Sequence, residues 1–318
     1  MDKLSDKHSK GLQAAIASAI FLGLTPVLGK LAIGLGLSPM AVVGLRTIGA
    51  TVLLTIAMVI FKRDSFYIYP AGLLGCLLAG GINGVGSLLF YNALGRIDAS
   101  LGQVIFSLYP IFVALWVWLD RQASSRLTLV RLMLVFPAIV LLTITSDQKI
   151  DMVGVAMMLA ASALYALHLP INQRVLYEMP APTVTLYTLT AMSIVVVPAM
   201  AFSRVNSSPS TLAWEALVCM TLVTFLARLM LFEGVKHLGG LQTALLGLGE
   251  LLITILFSYL WLGERLNQFQ WIGVLLLIVS LVLVKFEKPR KRKQSTGGLL
   301  GWLHPPSLSG EIPWQSHD

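Results

Sequence analysis

The sequence predicts an all-α integral membrane protein in which ten transmembrane helices form two inverted five-helix repeats. Three observations support this prediction. The 318 residues are 56% hydrophobic and only 12% charged, whereas soluble domains usually carry about 25% charged residues. The apolar residues are grouped into ten runs, each long enough to cross a bilayer. Two of these runs follow similar sequences that begin 141 residues apart.

Each predicted span is a run of about 20 apolar residues, the length of a helix that crosses the hydrocarbon core. The connections are short, so neighbouring spans run antiparallel. The first run is too long for the apolar core of a signal peptide, and no small-residue cleavage site follows it. In chain order the predicted spans cover residues 11–33, 39–61, 69–94, 99–119, 127–145, 152–172, 182–203, 211–235, 241–262 and 269–286.

An internal repeat indicates a duplicated core. Residues 89–94 read Leu-Phe-Tyr-Asn-Ala-Leu, residues 230–235 read Met-Leu-Phe-Glu-Gly-Val, and each sequence leads through a polar break into another apolar run. Such duplication is typical of transporters that bind their substrate at mid-bilayer between the halves. Because five spans is an odd number, the second half enters the membrane from the opposite side. We therefore predict repeats at 1–147 and 148–287 and a tail at 288–318.

The positions of basic residues predict that both termini are cytoplasmic. With the N-terminus inside, 16 of the 23 Lys and Arg residues lie on the cytoplasmic side and 5 on the other, while Arg46 and Arg228 lie within spans. The net charge of +8 therefore reflects membrane orientation and does not indicate a nucleic-acid partner. The basic run at 288–293 either anchors the last span or binds anionic lipid. We expect the rest of the tail to be disordered.

Residues 260–266 read Leu-Trp-Leu-Gly-Glu-Arg-Leu, and residues 270–273 read Gln-Trp-Ile-Gly. This pattern resembles the end of a repeat in the EamA-type drug/metabolite transporter superfamily, although the first half reads Leu-Asp-Arg-Gln-Ala at 119–123. The resemblance implies a carrier of small organic solutes, with spans 1, 3, 4, 6, 8 and 9 around the substrate. We expect Gly263 to end its helix in a left-handed conformation and Glu264 to accept bonds from the next helix.

Arg228 and Glu250 are the sharpest candidates for substrate binding, because an ionisable group inside the bilayer is costly unless it is paired or faces water. They form either a cavity charge pair or a structural ion pair that fixes helix register. The repeat offset of 141 adds further candidates at helical spacing. It maps Tyr109 onto Glu250, and it maps Asn83, Ser87 and Tyr91 onto Thr224, Arg228 and Phe232. These polar stripes either line a cavity or hold helices together.

The sixth predicted span adds Tyr165, His168 and Asn172, again at helical spacing. Pro170 removes a backbone hydrogen bond, so we expect an unwound turn beside this stripe, a common way to build a membrane site. The alternative is that His168 only bonds a neighbour. We expect Arg46 to snorkel or to contact the opposite half, and Lys30 to snorkel to the surface.

These observations predict a secondary transporter that exports amino-acid-like or amphipathic drug-like solutes across the inner membrane by alternating access. We expect no cofactor or metal and no catalytic residues. Protons are a candidate coupling ion through Glu250, membrane lipids surround the spans, and spans 5 and 10 are placed to contact a second copy in a homodimer. The rival hypotheses are an integral-membrane enzyme acting on lipid-linked substrates and a membrane scaffold or receptor that transports nothing.

Overall fold

The computed structural model describes residues 2–120, 126–143, 151–202, 209–263 and 267–286, together with Leu300 and Leu303. In these residues the regular secondary structure is entirely helical. Short 3-10 helices follow α2 at Arg63–Phe66 and α12 at Leu283–Phe286, and a short π-helix follows α11 at Ser258–Leu262. The helices are α1 (Asp2–Gly34), α2 (Pro39–Phe61), α3 (Pro70–Leu94), α4 (Ala99–Phe106), α5 (Tyr109–Leu119), α6 (Arg126–Thr143), α7 (Met152–Val175), α8 (Ala181–Ala201), α9 (Thr211–Leu238), α10 (Gly240–Gly247), α11 (Gly249–Phe257) and α12 (Gln268–Val282).

Among the residues that the structure describes, eight helical stretches are long and apolar enough to cross a membrane. Many large apolar side chains, such as those of Ile60, Leu74 and Trp118, are exposed on the outside of the bundle, where lipid can cover them. The chain is therefore a multi-pass membrane protein. Helices α6 and α12 are not among the eight, so the count of ten spans stays a prediction. The eight are His8–Gly34, Pro39–Phe61, Pro70–Leu94, Ala99–Leu119, Met152–Val175, Ala181–Ala201, Thr211–Leu238 and Gly240–Leu262.

Two of these spans are each built from two helices. The span at Ala99–Leu119 breaks at Ser107 between α4 and α5, and the span at Gly240–Leu262 breaks at Leu248 between α10 and α11. Pro110 in the first turn of α5 has no amide hydrogen to continue the hydrogen bonding of α4. The two breaks occupy positions that the repeat offset of 141 predicts to be equivalent.

The strongest helix contacts join the two halves of the chain. Helix α1 packs against α9 and α3 against α7; α2 packs against α9 and α3 against α8; α1 contacts α11 and α5 contacts α7. These contacts form three sets of two. Within each set, one contact becomes the other when every helix is replaced by its counterpart in the other half, so that α1 corresponds to α7, α2 to α8 and α3 to α9. Helices α6 and α12 pack against each other, and neither contributes a residue to the central cavity described below.

The turn before α12 carries the motif on which the family resemblance rests. Gly263 has a φ of 70°, which confirms the predicted left-handed conformation and suits a glycine. Asn267 and Gln270 form a capping box: the Gln270 amide donates to Asn267 Oδ1 at 3.0 Å, and the Asn267 amide donates to Gln270 Oε1 at 2.9 Å. Glu264, predicted to bond these amides, lies outside the described residues.

Two predictions concern α1 and α7. Near the end of α1, Nζ of Lys30 donates to the carbonyl oxygens of Leu94 at 2.9 Å and Ile97 at 2.8 Å, and its snorkelling to the membrane surface stays a prediction. These acceptors lie at and just beyond the end of α3, where helix carbonyls lack partners within the helix. The turn at Pro170 is not unwound, since α7 continues as one helix from Met152 to Val175.

Two residues of the tail are packed against the bundle. The side chain of Leu303 is buried with those of Ala79 on α3 and Ile171 on α7. The Leu300 amide donates to Asp120 Oδ1 at 3.1 Å. The predicted disorder of the tail is therefore wrong at these two positions. The basic run at 288–293 lies outside the described residues.

Candidate functional site

A cavity lies where α1, α2, α3, α4, α7, α9 and α11 meet, and we call it the central cavity. Its volume in this conformation is about 50 Å³, below the roughly 300–1,000 Å³ of pockets that hold drug-sized molecules, so a solute of that size requires the cavity to widen. Helix α2 was not expected to line it. The lining residues are Leu22, Thr25, Arg46, Asn83, Gly86, Ser87, Phe90, Tyr91, Gln103, Phe106, Ala161, Tyr165, Arg228 and Glu250.

Arg228 enters the cavity from α9 and is held by α3. With the amide of Asn83 oriented so that its oxygen faces the guanidinium, Oδ1 accepts from Nη2 at 3.0 Å and from Nη1 at 3.2 Å. The guanidinium carbon lies 5.8 Å from the ring centroid of Tyr165 on α7, within the range of a cation–π contact. Nε of Arg228 has no partner in the described structure. One nitrogen of this buried cation therefore makes no hydrogen bond in the described structure.

Arg46 is a second cation at the same cavity. Its side chain is only 4% exposed, so the expectation that it snorkels is wrong and the alternative, contact with the opposite half, is found. Nη1 donates to Thr224 Oγ1 on α9 at 3.3 Å, and the guanidinium carbon lies 4.7 Å from the ring centroid of Tyr91. Nε again has no partner among the described residues.

Glu250 enters from the first turn of α11, directly after the break at Leu248. Its Oε2 lies 3.5 Å from Nε2 of Gln103 on α4, and Oε1 has no hydrogen-bond partner in the described residues. Tyr109 adjoins it but donates to the Ala244 carbonyl at 3.0 Å. The repeat offset maps Gln103 onto Ala244 and Tyr109 onto Glu250. The Gln103–Glu250 and Tyr109–Ala244 contacts therefore correspond to each other across the two halves.

Aromatic rings form a continuous chain through the site. Tyr91 contacts Phe90, and Phe106 contacts Phe90, Tyr109 and Tyr165 at centroid distances of 4.9 to 5.5 Å. His168 continues the chain from Tyr165, at 4.6 Å, to Phe232, at 6.3 Å. The ends of the chain, Tyr91 and Phe232, are the positions that the offset predicts to be equivalent. These rings provide a wall on which an apolar or aromatic part of a solute can pack.

His168 and Asn172 lie one and two turns beyond Tyr165 and do not line the cavity. Nδ1 of His168 contacts the Tyr165 carbonyl oxygen, as the structural alternative expected. Oδ1 of Asn172 accepts from Thr188 on α8 at 3.0 Å. Both residues are fully buried, and each keeps one nitrogen without a partner in the described structure.

Of the nine predicted residues, six line the cavity directly: Asn83, Ser87, Tyr91, Tyr165, Arg228 and Glu250. Tyr109 lies next to Glu250 outside the cavity lining. The ring of His168 packs against the ring of Tyr165. The sequence interpretation missed Gln103 and Phe106 and assigned Arg46 to another role. Gln103 carried a usable signal, because it is a polar residue within an apolar run. In the described part of the chain, no three His, Cys, Asp or Glu side chains are grouped as metal ligands.

The groups that line the cavity can hydrogen-bond a small polar molecule when the cavity is wide enough to admit one. Two guanidinium groups, one carboxylate, the hydroxyl of Ser87 and the amide of Gln103 offer donors and acceptors, and the aromatic wall offers apolar surface. Buried polar atoms without partners cost free energy, and a bound solute that hydrogen-bonds them recovers part of that cost. Residues from both halves contribute to the site.

A model of the EamA-like transporter family matches the chain twice, at residues 9–144 and 152–286. The uncharacterized transporter YcbK of Bacillus subtilis is 24% identical over 200 residues, which cover 58% of this chain and 63% of that protein. The uncharacterized transporter sll1319 of Synechocystis is 24% identical over 216 residues, covering 63% of each chain. The chain thus spans slightly less than two thirds of the length of these relatives.

A solved crystal structure shares the fold. It superposes with a TM-score of 0.69 at 13% sequence identity, covering 89% of this chain and 97% of the other. At this identity the likeness concerns the arrangement of helices alone.

Proposed function

Because the chain belongs to the EamA-like transporter family, we propose that it is a secondary carrier that exports small organic metabolites through the central cavity. The observation that carries the proposal is a buried cavity in which Arg46, Arg228 and Glu250 each keep a polar atom without a partner in the described structure. Such groups are expensive to retain inside a membrane protein unless a solute or ion uses them.

We propose that ten spans form two inverted five-helix repeats, with α6 and α12 as the fifth and tenth. Three observations support this architecture. The family model matches the chain twice. The contacts between helices of different halves occur in pairs that are equivalent when the two halves are interchanged. The helix breaks at Ser107 and Leu248 fall at equivalent positions. In such a carrier one half rocks against the other, so that a site between them opens to each side in turn.

The chemistry of the cavity favours an amino-acid-like zwitterion or a drug-like amphipathic molecule. Guanidinium groups bind carboxylates, Glu250 can accept from an ammonium group, and the rings of Phe90, Phe106 and Tyr165 favour an apolar body. The proposed direction of transport is export, which removes small organic metabolites from the cytoplasm.

We propose that protons drive the export through Glu250. Its carboxylate faces Arg228, Gln103, Tyr109 and Tyr165, and its Oε1 has no protein partner in the described residues. A proton and a cationic solute group can therefore compete for the same oxygen. Such competition couples the uptake of a proton to the release of the solute.

The proposed location is the inner membrane with both termini in the cytoplasm, since 16 of 23 basic residues lie on that side. Lipid surrounds the exposed apolar faces. A homodimer through α6 and α12 is proposed because these two helices lie away from the cavity.

The test is flux into or out of liposomes that contain the purified chain. Amino acids, nucleosides and cationic drugs are compared with and without a pH gradient. We expect one class to be transported, with a loss of about tenfold or more in Arg228→Ala. Glu250→Gln should transport without dependence on the pH gradient.

Exposed residues of the same types provide matched controls. Arg63→Ala and Glu215→Gln, both on exposed positions, should behave like the wild type. Absence of flux for every class, from protein shown to be folded, would contradict the proposal and favour a membrane enzyme or a scaffold. Gradient-dependent flux that survives in Glu250→Gln would reject proton coupling through this residue alone.

A further inference from the structure

We propose that Arg46 and Arg228 together bind the anionic end of the solute, so that the carrier selects molecules with a carboxylate. This inference rests on the proposed transport function and specifies its substrate class. It assigns the role of specificity determinant to Arg46, a residue whose sequence position alone indicates only its depth.

The two guanidinium groups converge from different halves of the chain. Arg46 on α2 donates to Thr224 at 3.3 Å, and Thr224 lies one helical turn before Arg228 on the same face of α9. Residues four apart on a helix have Cβ atoms about 5–6 Å apart. Both arginines line the central cavity, so their positive charges face the same space.

Neither arginine has a carboxylate partner among the described residues. The protein acceptors of Arg228 and Arg46 are neutral, the amide of Asn83 and the hydroxyl of Thr224. The guanidinium group stays protonated in proteins, so the cavity contains two permanent positive charges against the single carboxyl group of Glu250. A structural role in fixing helix register would be served by a direct ion pair. Glu250 faces Arg228 but forms no direct ion pair with either arginine in the described structure. A bound carboxylate supplies the missing negative charge.

The surroundings favour a planar anion. The guanidinium carbon of Arg46 lies 4.7 Å from the centroid of the Tyr91 ring, and this cation–π contact restrains the position of the group. Nε of each arginine is unpartnered in the described structure, and an Arg edge that contains Nε binds a carboxylate through two parallel hydrogen bonds. Glu250 lies in the same cavity and is available to an ammonium or hydroxyl group at the other end of the solute.

The experiment compares solutes that differ only in the carboxylate. Leucine and phenylalanine are tested beside their amides and beside the amines that lack the carboxylate carbon. Thermal stabilisation of the purified full chain reports binding, and counterflow in liposomes reports transport. We expect stabilisation and transport by at least one acid, and a loss of about 10- to 100-fold in apparent affinity for its amide and amine.

Variants then assign the selection to the two arginines. Arg46→Gln and Arg228→Gln should each reduce the preference for acid over amide about tenfold or more, while Arg46→Lys, which keeps the charge but loses the fork, should recover it only in part. Arg63→Ala, an exposed arginine, is the control. Melting temperatures of the unliganded variants identify any that fail to fold. If a Gln variant fails to fold, the acid-over-amide preference is measured instead in Arg46→Lys and in Thr224→Val, which removes the hydrogen-bond acceptor of Arg46.

The outcomes separate this inference from the transport function. Transport of amides and amines as fast as acids, or unchanged preference in folded Arg46→Gln, would overturn the inference while the carrier function stands. No transport and no stabilisation by any of these solutes would overturn the inference, and the carrier function would then be decided by the wider panel that includes nucleosides and cationic drugs.

Discussion

Arg228 of α9 donates to the side-chain oxygen of Asn83 of α3 at 3.0 and 3.2 Å, so a neutral amide fixes a buried cation. If the charge of Arg228 is reserved for a solute, supplying an internal anion should block it. We predict that Asn83→Asp forms an ion pair with Arg228 and raises the melting temperature, yet reduces carboxylate transport about tenfold or more.

The comparison with Asn83→Leu makes this prediction specific. Leu removes the acceptor and leaves the guanidinium without it, so both stability and transport should fall. If Arg228 were only structural, Asn83→Asp would raise stability and leave transport unchanged. Melting curves and counterflow on the same preparations distinguish the two accounts.

The break between α10 and α11 places Gly247 against Tyr109. A Cβ atom at Gly247 would lie 1.9 Å from the Tyr109 hydroxyl oxygen and 3.2 Å from Glu250 Oε1. We predict that Gly247→Ala displaces Tyr109, costs about 1–3 kcal/mol of stability by overpacking and impairs transport. A second change, Tyr109→Phe, should restore part of the stability.

Gly249→Ala is the matched control, since its Cβ would meet only Ala19 Cβ at an ordinary 3.4 Å. It lies two residues away on the other side of the break and should be close to neutral. Equal effects of the two substitutions on melting temperature and flux would show that the Tyr109 contact is not responsible.

A buried ion pair joins α7 to the end of α5. Arg174 Nη2 lies 2.6 Å from Asp120 Oδ2, with side-chain exposures of 1% and 2%. We predict that Asp120→Asn or Arg174→Gln costs about 3–5 kcal/mol, because each leaves a buried charge without its partner. The double variant should lose less than the sum of the single variants.

The exposed pair between Arg96 and Asp151 provides the comparison. Its distance is 3.0 Å, but its side chains are 47% and 34% exposed, so water screens the attraction and its loss should change stability little. The measurement is equilibrium unfolding in detergent for both pairs. A loss at the exposed pair as large as that at the buried pair would reject this reasoning.

Much of the helical framework follows from the sequence because lipid imposes a simple rule. A backbone that crosses hydrocarbon must satisfy its own hydrogen bonds, so long apolar runs mark the helices of the structure. Pro110 in the sequence indicates a bend close to the first break, at Ser107. The break at Leu248 has no such signal and is accompanied by tertiary contacts such as the Tyr109–Ala244 hydrogen bond.

The candidate site was only partly predictable for a related reason. The repeat offset brought Asn83, Ser87 and Arg228 together as one group, and all three line the cavity. Arg46 was misassigned because its position in α2 gives its depth but not the direction it faces.

The most direct test of the account is the accessibility of Ser87, which lines the cavity on α3. Ser87→Cys is introduced after Cys76 and Cys219 are replaced by Ala, and membrane-impermeant thiol reagents are applied from either side of sealed vesicles. The account predicts that the new thiol reacts from both sides and that a transported solute slows its modification. Reaction from one side only, or a rate that no transported solute changes, would contradict it.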